Sequence, residues 1–225
     1  MTETFLPLAV TLDTDGGACV AGLDADGRWI RPEPVTADEV GPEGPYAFFR
    51  PVRLGLGPST EPDARPEDRA VRTPPRPAGE ALGAAARARL LRDSADAGVE
   101  AAFAGERSAG LVAVQVRRLY GRPSTGGRSF LRMEFTDASG AEHDWIVRDR
   151  RLVRRFPAPH QDPPPDLAGP CFLSIGLTKP NGRFPGRFRG CHPLVVGVLS
   201  GDFSGVLSEV LSERGDAGAF GAARP

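Results

Sequence analysis

Lysine is almost absent from this chain: of its 28 basic residues only Lys179 is lysine, and the rest are arginine. Such a bias follows GC-rich coding as readily as chemistry, so no single arginine carries weight by itself, although guanidinium suits bidentate contact to phosphate. Long apolar runs are missing too. Nothing approaches the roughly 18 consecutive apolar residues of a membrane span, and the opening MTETFLPLAV lacks the basic start of a secretion signal, so a cytoplasmic protein without membrane contact is expected. Cysteine is scarce and odd in number. Cys19, Cys171 and Cys191 contain no CxxC pair, which argues against a disulfide framework and leaves reduced thiols as the expectation. GxxxxGK[ST] and GxSxG are also absent, and no acid, base and nucleophile set stands out, which disfavours an enzyme.

Glycine (28) and proline (23) are abundant and favour many turns between short strands. A length of 225 residues suits one large or two small domains. The net charge of −1 hides an asymmetry: residues 1–116 carry roughly −6, residues 117–189 roughly +7 and the remainder roughly −2. The basic middle segment is the expected anion-binding face.

Alternation of apolar residues marks the strands. In residues 17–32, Cys19, Ala21 and Leu23 share one side of a half-buried strand. Asp26-Gly27 supplies a positive-φ turn, and Trp29 and Arg31 alternate with Arg28 and Ile30 on the return. Residues 5–12 form an earlier apolar run, and residues 46–56 read as a strand broken at Pro51, with Phe48, Val52, Leu54 and Leu56 toward the core. Residues 57–79, rich in Pro, Asp, Glu and Arg, read as a long surface loop. Residues 80–97 carry the one convincing internal helix, with Leu82, Ala86 and Leu90 four apart and Gly98 past its end. Alternation resumes over 111–120, with Val112, Val114, Val116, Arg118 and Tyr120 on the core side. Residues 130–135 and 143–147 flank a turn at 137–140, making a second hairpin. Residues 157–170 read as a Pro-rich loop and 204–214 as a terminal helix capped by Ser204. No internal repeat aligns one half of the chain on the other.

Four short blocks, CVAGLDADGRWIRP at 19–32, RPED at 65–68, LSIGLTKP at 173–180 and CHPLVVGVL at 191–199, resemble the prokaryotic dual OB domain family. The chain departs from that pattern at Ser174, Gly176, Thr178 and Lys179, and at Pro193, where the family has a lysine before the last strand. The resemblance implies a mainly β protein of two packed OB-like barrels with one bridging helix. The divisions are 1–78 for the first barrel, 79–108 for a helical connector, 109–214 for the second barrel and 215–225 for a frayed tail. It also implies recognition of nucleic acid or nucleotides, in a bacterial defence-type setting, and brings no catalytic residues with it.

The candidate ligand residues are Trp29, Arg31, Lys179, Arg183, Phe184, Arg187, Phe188, Arg189 and His192. The loop KPNGRFPGRFR at 179–189 interleaves cations with Phe184 and Phe188, a composition that holds backbone phosphate and stacked bases together. The competing reading is a solvated loop whose phenylalanines anchor it on a barrel. Trp29 beside Arg28 and Arg31 offers a stacking surface, or a core tryptophan. Arg148, Arg150, Arg151, Arg154 and Arg155 form the densest basic run, either a phosphate track or a plain solvated face. Cys191 and His192 are adjacent, which on a strand points them to opposite faces, and no spacing supports zinc, so no metal or cofactor is expected. The leading expectation is non-enzymatic binding of single-stranded nucleic acid or a nucleotide-containing ligand. The rivals are an adaptor that docks a partner protein through Pro-rich loops and strand edges, and a small hydrolase or transferase.

Overall fold

The computed structural model describes residues 2–12, 17–41, 43–123, 129–156, 171–180 and 187–200. The first barrel is built from β1 (Thr2–Leu12), β2 (Gly17–Asp24), β3 (Trp29–Glu33), β5 (Val52–Glu61) and β6 (Arg65–Pro77), with the short β4 (Val35–Thr36) at its side. The connector holds α1 (Ala84–Ser94) and α2 (Val99–Ala102). The second barrel contains β7 (Ala109–Pro123), β8 (Ser129–Asp137), β9 (Glu142–Val147), β10 (Cys171–Leu177) and β11 (Pro193–Ser200), with α3 (Arg150–Arg155) after β9. Both barrels are closed and share one strand order. The first runs β1-β2-β3-β6-β5 and returns to β1, and the second runs β7-β8-β9-β11-β10 and returns to β7. In each, one neighbouring pair is parallel, β3 with β6 and β9 with β11, while the others are antiparallel. Each is a five-stranded OB-like barrel, and the protein is mainly β.

Three apolar clusters hold it together. Phe5, Val10, Val20, Ile30, Val52 and Leu54 fill the first barrel. Val112, Val116, Met133, Phe135, Leu173 and Val198 lie among those filling the second. A third cluster, with Leu8, Ala21, Leu23, Trp29, Leu91 and Leu111, lies between the two. The strands at this seam are therefore buried on both faces: Val20 points into its barrel, whereas Ala21 and Leu23 point at the neighbouring one. Contact there is close. The Ser174 hydroxyl donates to the Leu8 carbonyl at 2.9 Å, and a Cβ added to Gly197 would stand 2.5 Å from that same oxygen, so only glycine lets β11 approach β1 this closely.

The hairpins at 17–32 and 130–147 form as their sequences predict, with Gly27 (φ 77°) and Gly140 (φ 86°) in left-handed turns. Other expectations are corrected. Residues 57–79 are not a surface loop, because β5 and β6 pair through most of that stretch. The strand expected over 46–56 begins only at Val52. The helix expected over 80–97 is the shorter α1, whose Leu91 is buried at the inter-barrel seam. Along β7 the register shifts between Val116 and Arg118, which reverses the alternation. Leu119 is consequently buried, while Arg118 faces solvent. The predicted terminal helix 204–214, the tail 215–225 and the loop 157–170 lie outside the described residues.

Asp137 ties α2 to the second barrel. Its carboxylate accepts from the backbone N–H of Val99 at 2.9 Å, from Ser139 Oγ at 2.5 Å and from the Ala141 N–H at 3.1 Å, with His143 Nε2 at 3.2 Å. Burial pushes this carboxyl up, but the hydrogen bonds from Ser139, Val99, His143 and Ala141 prevail and hold it at about 2, below the ordinary 3.8. The depressed value means that its stabilisation is complete above the unfolded value and is lost as pH falls through the folded one. Asp137→Asn is expected to remove about 1–2 kcal/mol near neutrality and to flatten the acid limb of the stability profile. Urea titrations on either side of that window check this, and an unchanged acid limb contradicts it.

Candidate functional site

The site starts from a run of charge on β6. The parallel pairing of β3 with β6 sets Arg31 opposite Asp68 in register. Arg31 (3% exposed) and Asp68 (0%) form a buried ion pair, Nη1 to Oδ1 at 2.5 Å. Arg65 completes it from the other side, Nε to Oδ2 at 3.0 Å, and reaches Glu33 at 3.5 Å. Burial pushes the Asp68 carboxyl up to about 6, against the pull of Arg31 and Arg65. Arg31 also donates to the side chain and carbonyl of Ser108, both at 3.3 Å, and Ser108 in turn donates to Glu67 through its N–H (2.8 Å) and hydroxyl (2.6 Å). The Leu177 N–H donates to the Ser108 carbonyl at 2.8 Å, which carries the network into the second barrel. Glu67 and Asp68 therefore hold a structural centre where their composition predicts a solvated loop.

A cleft of about 390 Å³ opens beside this network, between the barrels. Cys19, Arg31, Glu33 and Arg65 line it from the first barrel, and Arg148, Ile175, Leu177 and Lys179 from the second. Small side chains, Ala9, Ala21 and Ala109, leave the space open. All four blocks that carry the family resemblance come together here: 19–32 in β2 and β3, 65–68 in β6, 173–180 in β10 and its exit, and 191–199 in β11, whose Leu194 and Val196 join the wall.

The cations differ in their engagement. Arg31 is held by Asp68. Lys179 makes a solvent-exposed pair with Glu61 at 3.0 Å, an interaction of small net strength in water that an entering anion can replace. Arg148 is half-buried with its guanidinium 5.8 Å from the Phe130 ring centroid, and no carboxylate among the described residues pairs with it.

Of the sequence-predicted residues, Trp29 is 8% exposed and packs in the seam between the barrels, so its ring presents no open stacking face. Arg31 reaches the cleft only from within its ion pair. Phe188 packs against the second barrel's core, edge-on to Phe103 at 5.1 Å and to Trp145 at 6.3 Å, which is the anchoring role. Arg189 donates to the carbonyls of Glu106 (2.7 Å) and Arg107 (3.1 Å), strapping the loop to the connector. Phe188, Arg189 and Gly190 all have left-handed backbones (φ 51°, 57° and 78°), a strained run that these contacts hold in place. Half-buried His192 exchanges hydrogen bonds with Thr178 across the base of the loop, through its N–H to Oγ1 (2.9 Å) and its carbonyl to the Thr178 N–H (3.0 Å). Burial, then the Arg132 charge, lowers the pKa of its imidazole. Arg187 opens the turn Arg187–Gly190, and Arg183 and Phe184 lie outside the described residues.

The arginine run is not a free track along the surface. Residues 150–155 form α3, capped by Asp149, and Arg150 donates to the Val40 carbonyl of the first barrel. Arg151 pairs with buried Asp149 at 2.7 Å and covers the Phe48 ring at 3.7 Å, so these two arginines clamp the barrels together. Sequence reasoning missed this because a cation bound to a buried partner looks the same in a sequence as a solvated one. The thiols are equally reserved. Burial pushes Cys171 up to about 12 and raises Cys19 and Cys191 too, so none is poised as a thiolate. No group of three or more His, Cys, Asp or Glu among the described residues is placed to hold a metal ion.

Comparison of the chain with known protein families and with curated proteins finds no match. No helix among the described residues is long and apolar enough to cross a membrane.

Proposed function

We propose that this protein is a non-enzymatic binding module that takes a nucleotide-containing ligand into the cleft between its barrels. The observation that carries the reading is the cleft itself. Its volume lies in the range of small-molecule sites, its walls are part apolar and part polar, and Arg31, Arg65, Arg148 and Lys179 line it against one carboxylate, Glu33. Phosphate goes to Arg148 and Lys179, the cations least committed to internal partners, while Ile175, Leu177 and Leu194 face the base or sugar. The loop between β10 and β11 borders the cleft through Thr178 and Lys179, and this is one of the loops that OB barrels use for ligands.

Calorimetric titration with ATP at low salt is expected to show binding that weakens as ionic strength rises. Arg148→Ala and Lys179→Ala should each weaken it by roughly tenfold, the scale of one charge-assisted hydrogen bond. Absence of nucleotide binding, or binding indifferent to Arg148→Ala, overturns the reading. A partner-protein adaptor is the second reading, favoured by a shallow, mainly apolar hollow of about 320 Å³ beside Val114, Cys171 and Phe172. Barrel closure pairs the strand edges that such docking was expected to use, so an adaptor would work through this hollow and through loops. Its affinity should be nearly independent of salt.

A further inference from the structure

The outer face of β7, β8 and β9 has no part in the cleft reading except through one residue, Arg148. Pairing sets three cross-strand rows on this face. Arg122 lies opposite Phe130, and Arg148 follows one residue beyond the end of β9, its guanidinium toward the Phe130 ring. Next come Tyr120, Arg132 and Ile146, and then Arg118, Glu134 and Asp144. Leu131, Met133 and Phe135 alternate with these positions and fill the barrel, so Phe130 faces outward, half-exposed.

Single outward apolar residues are ordinary, but this face combines two aromatic rings with four arginines. Tyr120 is held in place, its hydroxyl donating to Asp144 at 2.9 Å and its ring 4.5 Å from the Arg118 guanidinium. Arg118 and Arg132 have carboxylate partners, Glu134 at 3.6 Å and Asp144 at 2.9 Å. Arg122 and Arg148 have none among the described residues, and these two flank Phe130. An aromatic platform between two cations without carboxylate partners suits an unpaired base with phosphates on either side. In an OB-like barrel the second and third strands, here β8 and β9, form the face suited to such a strand.

We infer that single-stranded nucleic acid runs from the inter-barrel cleft past Arg148 onto this face, with bases stacked on Phe130 and then Tyr120 and phosphates held by Arg122 and Arg148. This extends the nucleotide reading of the cleft from a mononucleotide to a strand, and it assigns Phe130, Tyr120 and Arg122, none of which lines the cleft.

The test compares ATP with oligothymidylates of increasing length on the full chain, by calorimetry and fluorescence anisotropy. Affinity should rise with length. Phe130→Leu, which keeps an apolar side chain and removes the ring, and Tyr120→Ala should each weaken oligonucleotide binding by roughly 5- to 150-fold while leaving ATP affinity unchanged. Arg122→Ala should reduce the salt slope for the oligonucleotide by about 1 and leave ATP binding alone. Circular dichroism and a thermal melt of each variant show whether it is folded, and the Arg122 result holds even if an aromatic variant is not. ATP binding without any gain from added length overturns the strand path and leaves the cleft reading standing. Length-dependent oligonucleotide binding lost in Phe130→Leu, without ATP binding, supports the path and overturns the cleft as a mononucleotide site. Failure of both ligands to bind overturns both.

Discussion

Asp68→Ala is expected to destabilise the protein by about 3–5 kcal/mol, a large fraction of the roughly 5–15 kcal/mol that stabilises a typical domain, because it leaves Arg31 and Arg65 as buried charges without their shared partner. Arg31 is 3% exposed and Arg65 8%, so neither guanidinium can recover full hydration without opening the seam. The expectation does not require the native network to be strongly stabilising. Burial raises the Asp68 carboxyl even with two guanidiniums beside it, so desolvation opposes the attraction within the network. Replacing Arg31 and Asp68 together by methionine and leucine should therefore cost less than the sum of the two single changes. Urea denaturation of the two single variants and the double variant measures this. A loss under about 1 kcal/mol for Asp68→Ala would show that water reaches the network and that the charges are not confined as the geometry indicates.

Trp29→Ala is the second large effect, a loss of about 3–5 kcal/mol, as for removal of a buried aromatic ring. The ring packs with Leu8, Ala21, Leu23 and Leu111 between the barrels, so its removal opens a cavity in the cluster that joins them. If Trp29 instead presented a stacking platform, the same substitution would leave the melting temperature nearly unchanged and lower ligand affinity. A thermal melt beside an ATP titration separates the two, and a stable variant with weakened binding would return Trp29 to the ligand face.

Much of the fold was legible because its signals are local. Asp26-Gly27 and the turn at 137–140 need glycine in a left-handed conformation, and their flanking residues alternate with a period of two. The site was less legible. The block Arg65-Pro66-Glu67-Asp68 has the composition of a loop, and the partners that bury its charges, Arg31 for Asp68 and Ser108 for Glu67, lie 37 and 41 residues away. Strict alternation puts Arg118 in the core, but a bulge reverses the register, and nothing in the residues around Val116 announces that extra step. Lys179, a candidate from its place in the basic loop, lines the cleft. In the sequence Arg148 is one member of a charge run, and Phe130 and Tyr120 are strand residues like their neighbours, because which face of a strand is left open is set by the barrel.

Turn chemistry and alternation are properties of neighbouring residues, and they suffice to make this chain a set of short strands, whereas the closure of those strands into barrels has no such local signal. Which strand face is buried twice is not a local property. Ala21, Leu23 and Trp29 are covered because a second barrel lies against the first, and the arginines of α3 clamp that contact. The same packing decided which cations are bound internally and which line open space. A guanidinium's role depends on which carboxylate, carbonyl or ring reaches it from elsewhere in the fold, and that distance is set by tertiary structure alone.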